Sequence, residues 1–226
     1  MKGGFYEKRN TKYKRQKYSI AVWDDTENAK GVVQLSHGMA EHIQRYDDFA
    51  RFLCGNGYIV IGDDHRGHGY TDPDKLGVAS GDIFEDKVAD LRYITSYASK
   101  TYGLPVILMG HSYGSFLTQR YLTYGFDGIK AAILCGSAKQ GGLILKVGKS
   151  LSRKKCKNEA DEPGATFAKM TFEKYDNDFG EGKNSWLSLS KENVQKFNAD
   201  PLCGFTCSNG FYYSFFTGID NANKFL

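Results

Sequence analysis

Between Gly31 and Cys135 the chain alternates short apolar runs with segments of helical spacing. Val32-Val33-Gln34-Leu35 leads into Ser36-His37-Gly38, and Tyr58-Ile59-Val60-Ile61 leads into Gly62-Asp63-Asp64. Runs of this length that end in turn residues predict buried strands. Between them Tyr46, Phe49, Ala50 and Leu53 recur at i, i+3, i+4 and i+7, one face of a helix that Gly55 and Gly57 stop. A second unit repeats the pattern. Asp82 with Glu85 three residues on predicts a capped helix start, and Phe84, Val88, Leu91 and Ala98 supply its apolar face. Gly103 and Pro105 break that helix. Val106-Ile107-Leu108-Met109 is the next strand. Leu117, Tyr121 and Tyr124 give the following helix a buried stripe that ends at Gly125, and Ile129 to Cys135 is another strand. Strands alternating with helices of this length predict an α/β chain, a mostly parallel sheet with helices on both faces. Right-handed crossovers then bring the strand C-termini to one rim, where sites in open α/β sheets lie.

Outside this window the rhythm changes. Tyr18 to Trp23 alternates, which predicts a half-exposed antiparallel strand, and Asp24 to Asn28 reads as a turn. Residues 139 to 210 are richer in Lys, Gly, Asn and Ser, with helical hints at Ile144, Val147 and Leu151. The expected organisation is a core over residues 1–138, an insertion over 139–210, and the start of a return to the core over 211–226.

Composition narrows the classes. A chain of 226 residues with 41% hydrophobic positions can bury a sizeable core and is not disordered, collagenous or a disulfide-stapled miniprotein. It has no apolar run near the length of a membrane span, and its charged N-terminal stretch has no secretory h-region. Five scattered cysteines, an odd number, predict reduced thiols and a cytoplasmic protein. The net charge of +4 is too small to argue for a nucleic-acid partner. Two basic runs, Lys12 to Lys17 and Arg153 to Lys157, read as solvated faces, the second also suiting weak contact with an anionic membrane surface.

The strongest chemical signal is Gly110-His111-Ser112-Tyr113-Gly114, between a predicted strand and a predicted helix. That context is what a Gly-x-Ser-x-Gly nucleophile elbow requires, since the glycines let the backbone turn sharply and lift the serine hydroxyl above the rim. His37-Gly38-Met39-Ala40-Glu41-His42 follows the first buried strand and resembles the turn that supplies one oxyanion-hole N–H beside a serine elbow of this kind. Its donor would be the Met39 backbone, and the second the backbone N–H of Tyr113. The His37 and His42 side chains read as loop-structuring. Asp64-His65-Arg66-Gly67-His68-Gly69-Tyr70 reads as a rigid turn shaping the rim. Neither its two histidines nor Cys203-x-x-x-Cys207 completes a metal set, so no metal is expected.

The stretches His37–Tyr46 (HGMAEHIQRY), Asp64–Gly69 (DHRGHG) and Gly110–Gly114 (GHSYG), in this order, resemble the α/β-hydrolase family of monoacylglycerol lipases, lysophospholipases and the serine aminopeptidase group. Asp200-Pro201-Leu202-Cys203-Gly204-Phe205 resembles the end of that family's cap. The resemblance runs from about Tyr18 to the C-terminus. It implies an α/β-hydrolase fold, a serine nucleophile at Ser112, oxyanion donors at Met39 and Tyr113, a lid-like cap at residues 139–210, and esters of lipids or small alcohols as substrates. It implies no metal or organic cofactor. Cap aromatics Phe167, Phe172, Tyr175 and Trp186 suit an acyl pocket and suit ordinary packing equally.

One departure stands out. The family order is Ser, acid, His, yet all five histidines here, His37, His42, His65, His68 and His111, precede Ser112. Thr217-Gly218-Ile219-Asp220 fits the helix after the cap better than an acid-bearing turn, so Asp220 is not expected to be the catalytic acid. The catalytic acid and histidine are unassigned. The expectation is a chain truncated before the last strands of the fold and inactive alone. Its rivals are a non-catalytic remnant that binds in the acyl pocket, a peptidase-type member of the same family, and complementation by a C-terminal fragment in trans. The strand at Ile129–Cys135 is then expected to carry an open edge and an uncovered apolar face.

Overall fold

The computed structural model describes residues 6–13, 16–78, 81–125, 128–139, 141–179 and 182–225. Six strands form one sheet: β1 (Tyr6–Tyr13), β2 (Gln16–Trp23), β3 (Gly31–Ser36), β4 (Tyr58–Asp63), β5 (Val106–His111) and β6 (Ala131–Cys135). They lie in the order β1-β2-β4-β3-β5-β6. β4, β3, β5 and β6 are mutually parallel, and β2 joins β4 antiparallel, with Val22 opposite Ile61. β1 closes an antiparallel hairpin on β2. It carries the charged sequence YEKRNTKY, the kind of composition that blunts a sheet edge, and its polar pattern hid it from hydrophobic periodicity. The side chains of the basic run Lys12–Lys17 lie outside the described residues.

Both faces of the sheet are covered. Helix α1 (Asp47–Gly55) packs Ala50 and Cys54 onto Ala21, Trp23, Val33, Leu35 and Val60, and the Trp23 indole N–H donates to Asp47 Oδ1 at 2.8 Å. Helices α2 (Ile83–Tyr102) and α3 (Tyr113–Leu122) cover the other face, where Phe84, Val88, Leu91, Ala98, Leu117 and Tyr121 are buried. Because β2 sends Tyr18, Ile20 and Val22 to one core and Ala21 and Trp23 to the other, Tyr18–Trp23 is buried throughout rather than half exposed. Asp82 caps α2, accepting from Glu85 N–H, but the Glu85 side chain does not return the bond. It reaches instead to Arg120 Nε at 2.7 Å and Tyr124 OH at 2.9 Å. Tyr124 therefore stands exposed under the Arg120 guanidinium instead of extending the buried stripe of α3.

Beyond β6 the described residues add no further strand to the sheet. They form α4 (Gly142–Glu159), α5 (Ala165–Phe179), α6 (Lys191–Ala199) and α7 (Asn209–Asn223). Helix α7 packs Phe211, Phe215 and Ile219 into the core beside α2, and the Ser214 hydroxyl joins the α2 cap by donating to Asp82 Oδ1 at 2.7 Å. The buried side of α4 is Leu145, Gly148 and Ser152; Ile144, Val147 and Leu151, whose spacing hinted at this helix, are exposed. Phe172 and Tyr175 pack on Trp186, while Phe167 is buried against Tyr212 and Phe216. No helix among the described residues is long and apolar enough to cross a membrane.

Candidate active site

The centre of the site is the turn from β5 into α3. One residue, Ser112, separates strand from helix, with φ 50° and ψ −114°. An L-residue adopts that conformation at a cost of about 1–3 kcal/mol, and only where its surroundings over-determine it. Here they do. Ser112 N–H donates to Cys135 O of β6 at 2.9 Å, and Ser112 O accepts from Ser115 N–H at 2.8 Å and Ser115 Oγ–H at 2.6 Å. A β-carbon at Gly114 would collide with Ser36 O, and one at Gly110 with Gly114 O and Thr118 Oγ1. The two glycines thus let α3 start against the end of β3. Ser112 is half-buried at that rim, and Tyr113 contributes the first N–H of α3, a position where helix geometry provides no intrahelical acceptor.

The loop after β3 faces this elbow. Its anchor is Glu41, buried, which accepts from Gly38 N–H at 2.6 Å, from Tyr46 OH at 2.9 Å and from Arg45. Burial opposes the Glu41 charge, but the hydrogen bond from His111 and the positive field of Arg45 hold its carboxyl down at about 2. His111 Nδ1 lies 3.1 Å from the Tyr46 oxygen and 3.4 Å from Glu41 Oε1, so the imidazole beside the serine in sequence turns away to this loop. Met39 is half-buried, with its side chain packed on the larger core. Ala40, at φ 54°, donates its N–H to His68 Nε2 at 3.2 Å.

Three more imidazoles hold the loop in place. His37 Nε2 accepts from His65 N–H at 3.0 Å, which leaves Nδ1–H to donate to Gly38 O at 2.8 Å. His65 Nε2 donates to His37 O at 2.9 Å, and the two rings stack 3.7 Å apart. His68 Nδ1 donates to Arg66 O at 2.9 Å. Burial pushes all three below the ordinary histidine range, His68 to about 4, so they stand neutral. The fifth, His42, lies 2.8 Å from Asp200 Oδ2 through its Nε2. His37 and His42 are thus loop-structuring groups. Among the described residues no imidazole hydrogen-bonds the Ser112 hydroxyl. Asp220 lies within α7 and pairs with Lys149 at 2.6 Å.

From HGMAEHIQRY the sequence alone points only to the Met39 backbone and does not reveal the roles of Glu41, Tyr46 and His111. The spacing of Glu41 and Arg45, four apart, is the available signal. The His42–Asp200 contact joins residues 158 apart and has no local signal.

A family model described as serine aminopeptidase, S33, matches residues 27–225. Human monoglyceride lipase is 30% identical over 189 residues, which is 80% of this chain and 54% of that protein. Monoacylglycerol lipase of Mycolicibacterium smegmatis is 33% identical over 118 residues, 52% of this chain and 41% of that one. The chain spans about half the length of the curated relatives it matches. A thermostable carboxyl esterase from Bacillus coagulans superposes with a TM-score of 0.83 at 22% identity, over 95% of this chain and 72% of the esterase. A soluble variant of monoglyceride lipase from Saccharomyces cerevisiae gives a TM-score of 0.72 at 19% identity, over 96% and 69% of the two chains. These two structures carry the fold, that of the α/β-hydrolases.

Proposed function

This chain belongs to the serine aminopeptidase S33 family of hydrolases, and from that premise we propose that it carries the nucleophilic half of a lipid ester hydrolase site. The supporting observation is the strained Ser112 at the strand-to-helix elbow, with its flanking glycines packed against the end of β3. In this reading Ser112 Oγ attacks the acyl carbonyl of a monoacylglycerol or lysophospholipid-like ester. The N–H groups of Met39 and Tyr113 hold the oxyanion, the alcohol leaves, and water releases the acyl group from Ser112. The named activities of the human and mycobacterial relatives favour a monoacylglycerol as the ester. Residues 139–210 form the cap over the acyl chain. The exposed apolar stripe Leu143, Val147 and Leu151, beside Lys146 and Lys154, supports contact of this cap with a lipid surface. Five thiols, none in a disulfide, favour the cytoplasm.

Serine attack needs a base to take the hydroxyl proton and an acid to return it to the leaving alcohol. The imidazoles of this chain are committed elsewhere, and no histidine follows Ser112. We therefore propose that residues 1–226 alone turn over no ester, since losing a triad member lowers the rate on the order of 10⁴-fold or more. The acid and base come from polypeptide outside these residues. The same commitment of the imidazoles favours a second reading, a non-catalytic module that binds an acyl chain. The test is fluorophosphonate labelling of the purified, folded chain, with Ser112→Ala as control. No labelling of either form is expected. Labelling that disappears in Ser112→Ala overturns the inactivity and the binding-module reading together, because only an activated serine reacts.

A further inference from the structure

His42, Asp200 and Cys203 converge where the loop after β3 meets the turn after α6, and the serine chemistry uses none of the three. A histidine nitrogen, a carboxylate oxygen and the cysteine sulfur all lie within 4.8 Å of one another. The turn builds this arrangement. Asp200 Oδ1 accepts from Leu202 N–H at 2.8 Å and Asp200 O from Cys203 N–H at 3.0 Å, which folds Cys203 back beside its carboxylate. Gly204 N–H then donates to Ala40 O at 2.9 Å and docks the turn on the loop that carries His42. His42 is only 5% exposed, and its Nδ1 is buried without a hydrogen-bond partner. Asp200 and Cys203 are half-buried, which gives an ion a way in from solvent.

One nitrogen, one oxygen and one sulfur donor make a set that Zn²⁺, a borderline-soft ion, accepts in tetrahedral geometry, leaving the fourth position to water. We propose that His42, Asp200 and Cys203 bind a single Zn²⁺ ion that clamps the His37–His42 loop to the Asp200–Gly204 turn. Burial and the neighbouring Asp200 push the Cys203 thiol up to about 12, so the ion must displace a firmly held proton, which leaves to solvent. Glu41 places negative charge and Arg45 positive charge near the cluster.

The probe is Co²⁺ titrated into the metal-free chain. One equivalent is expected to raise a thiolate-to-cobalt charge-transfer band and tetrahedral visible bands, and Zn²⁺ is expected to bleach both. The charge-transfer band should vanish in Cys203→Ser and persist in Cys135→Ser and Cys156→Ser. Absence of the band, or its survival in Cys203→Ser, overturns the proposal. X-ray absorption on the Zn²⁺-loaded wild-type chain tests it without any variant: one sulfur among nitrogen and oxygen neighbours is expected, and a shell without sulfur overturns it.

Discussion

β3 and β6 flank the same strand, run parallel to it and are both mainly apolar in sequence, yet their fates differ. All six residues of β3 are buried, between β4 and β5 and under helices on both faces. Among the described residues β6 pairs with β5 alone, with Ile133 47% and Leu134 43% exposed. The difference lies in what covers each strand, since their hydrophobicity is alike. It also bears on the site, because β6, the less protected strand, supplies the carbonyl that holds Ser112 in its strained conformation. The elbow therefore rests on one well-packed support, β3, and one open support, β6.

Three measurements sharpen or break that contrast. The largest effect is expected from truncating one leucine in each strand. Leu35→Ala in β3 should lower unfolding free energy by about 2–5 kcal/mol, and Leu134→Ala in β6 by less than about 1 kcal/mol. Equal losses in urea denaturation would mean that β6 is as well packed as β3.

Next is acid. The histidines at the β3 end have folded pKa values below the ordinary 6.5, so the folded state binds fewer protons than the unfolded one. Their contribution is complete above pH 6.5 and falls as pH drops from there. For His68, at about 4, the window spans pH 6.5 to 4 and is worth about 3 kcal/mol. Glu41 contributes in a lower window, full above pH 4.5 and lost as pH falls toward about 2. Stability measured against pH should slope upward from 4 to 6.5, and His68→Asn should flatten part of that slope. An unchanged slope in the variant counts against a buried neutral His68.

The smallest effect on stability is expected from Ile133→Lys on β6, within about 0.5 kcal/mol. The same change should reduce self-association in sedimentation, because charge on an open strand blocks edge pairing. A large loss of stability would show that this face is covered after all.

What is readable in the sequence follows the same line between local and distant causes. The α2 face, its Asp82 cap, the Gly103 stop and the glycine-flanked elbow depend on neighbours a few residues away, and periodicity and spacing reveal them. α4 shows the limit. It carries two candidate stripes, and periodicity favours Ile144, Val147 and Leu151, whereas Phe216 of α7 packs close over Gly148 and so buries the smaller stripe. The open edge of β6 is legible through the family resemblance, which implies further strands beside it, together with the need of a parallel strand for partners on both sides to be buried. The Glu41–Tyr46–His111 network and the His42–Asp200 bond are not, since each depends on where distant chain returns.

Bringing His42 and Asp200 together closes a span of 158 residues, whose closure entropy is about 4 kcal/mol on an ideal-chain estimate. A single imidazole–carboxylate contact, partly open to water, contributes less than that. The contact is therefore a result of α4, α5 and α6 having already assembled, and the loop bearing Met39 acts as a gauge of whether that helical layer is in place.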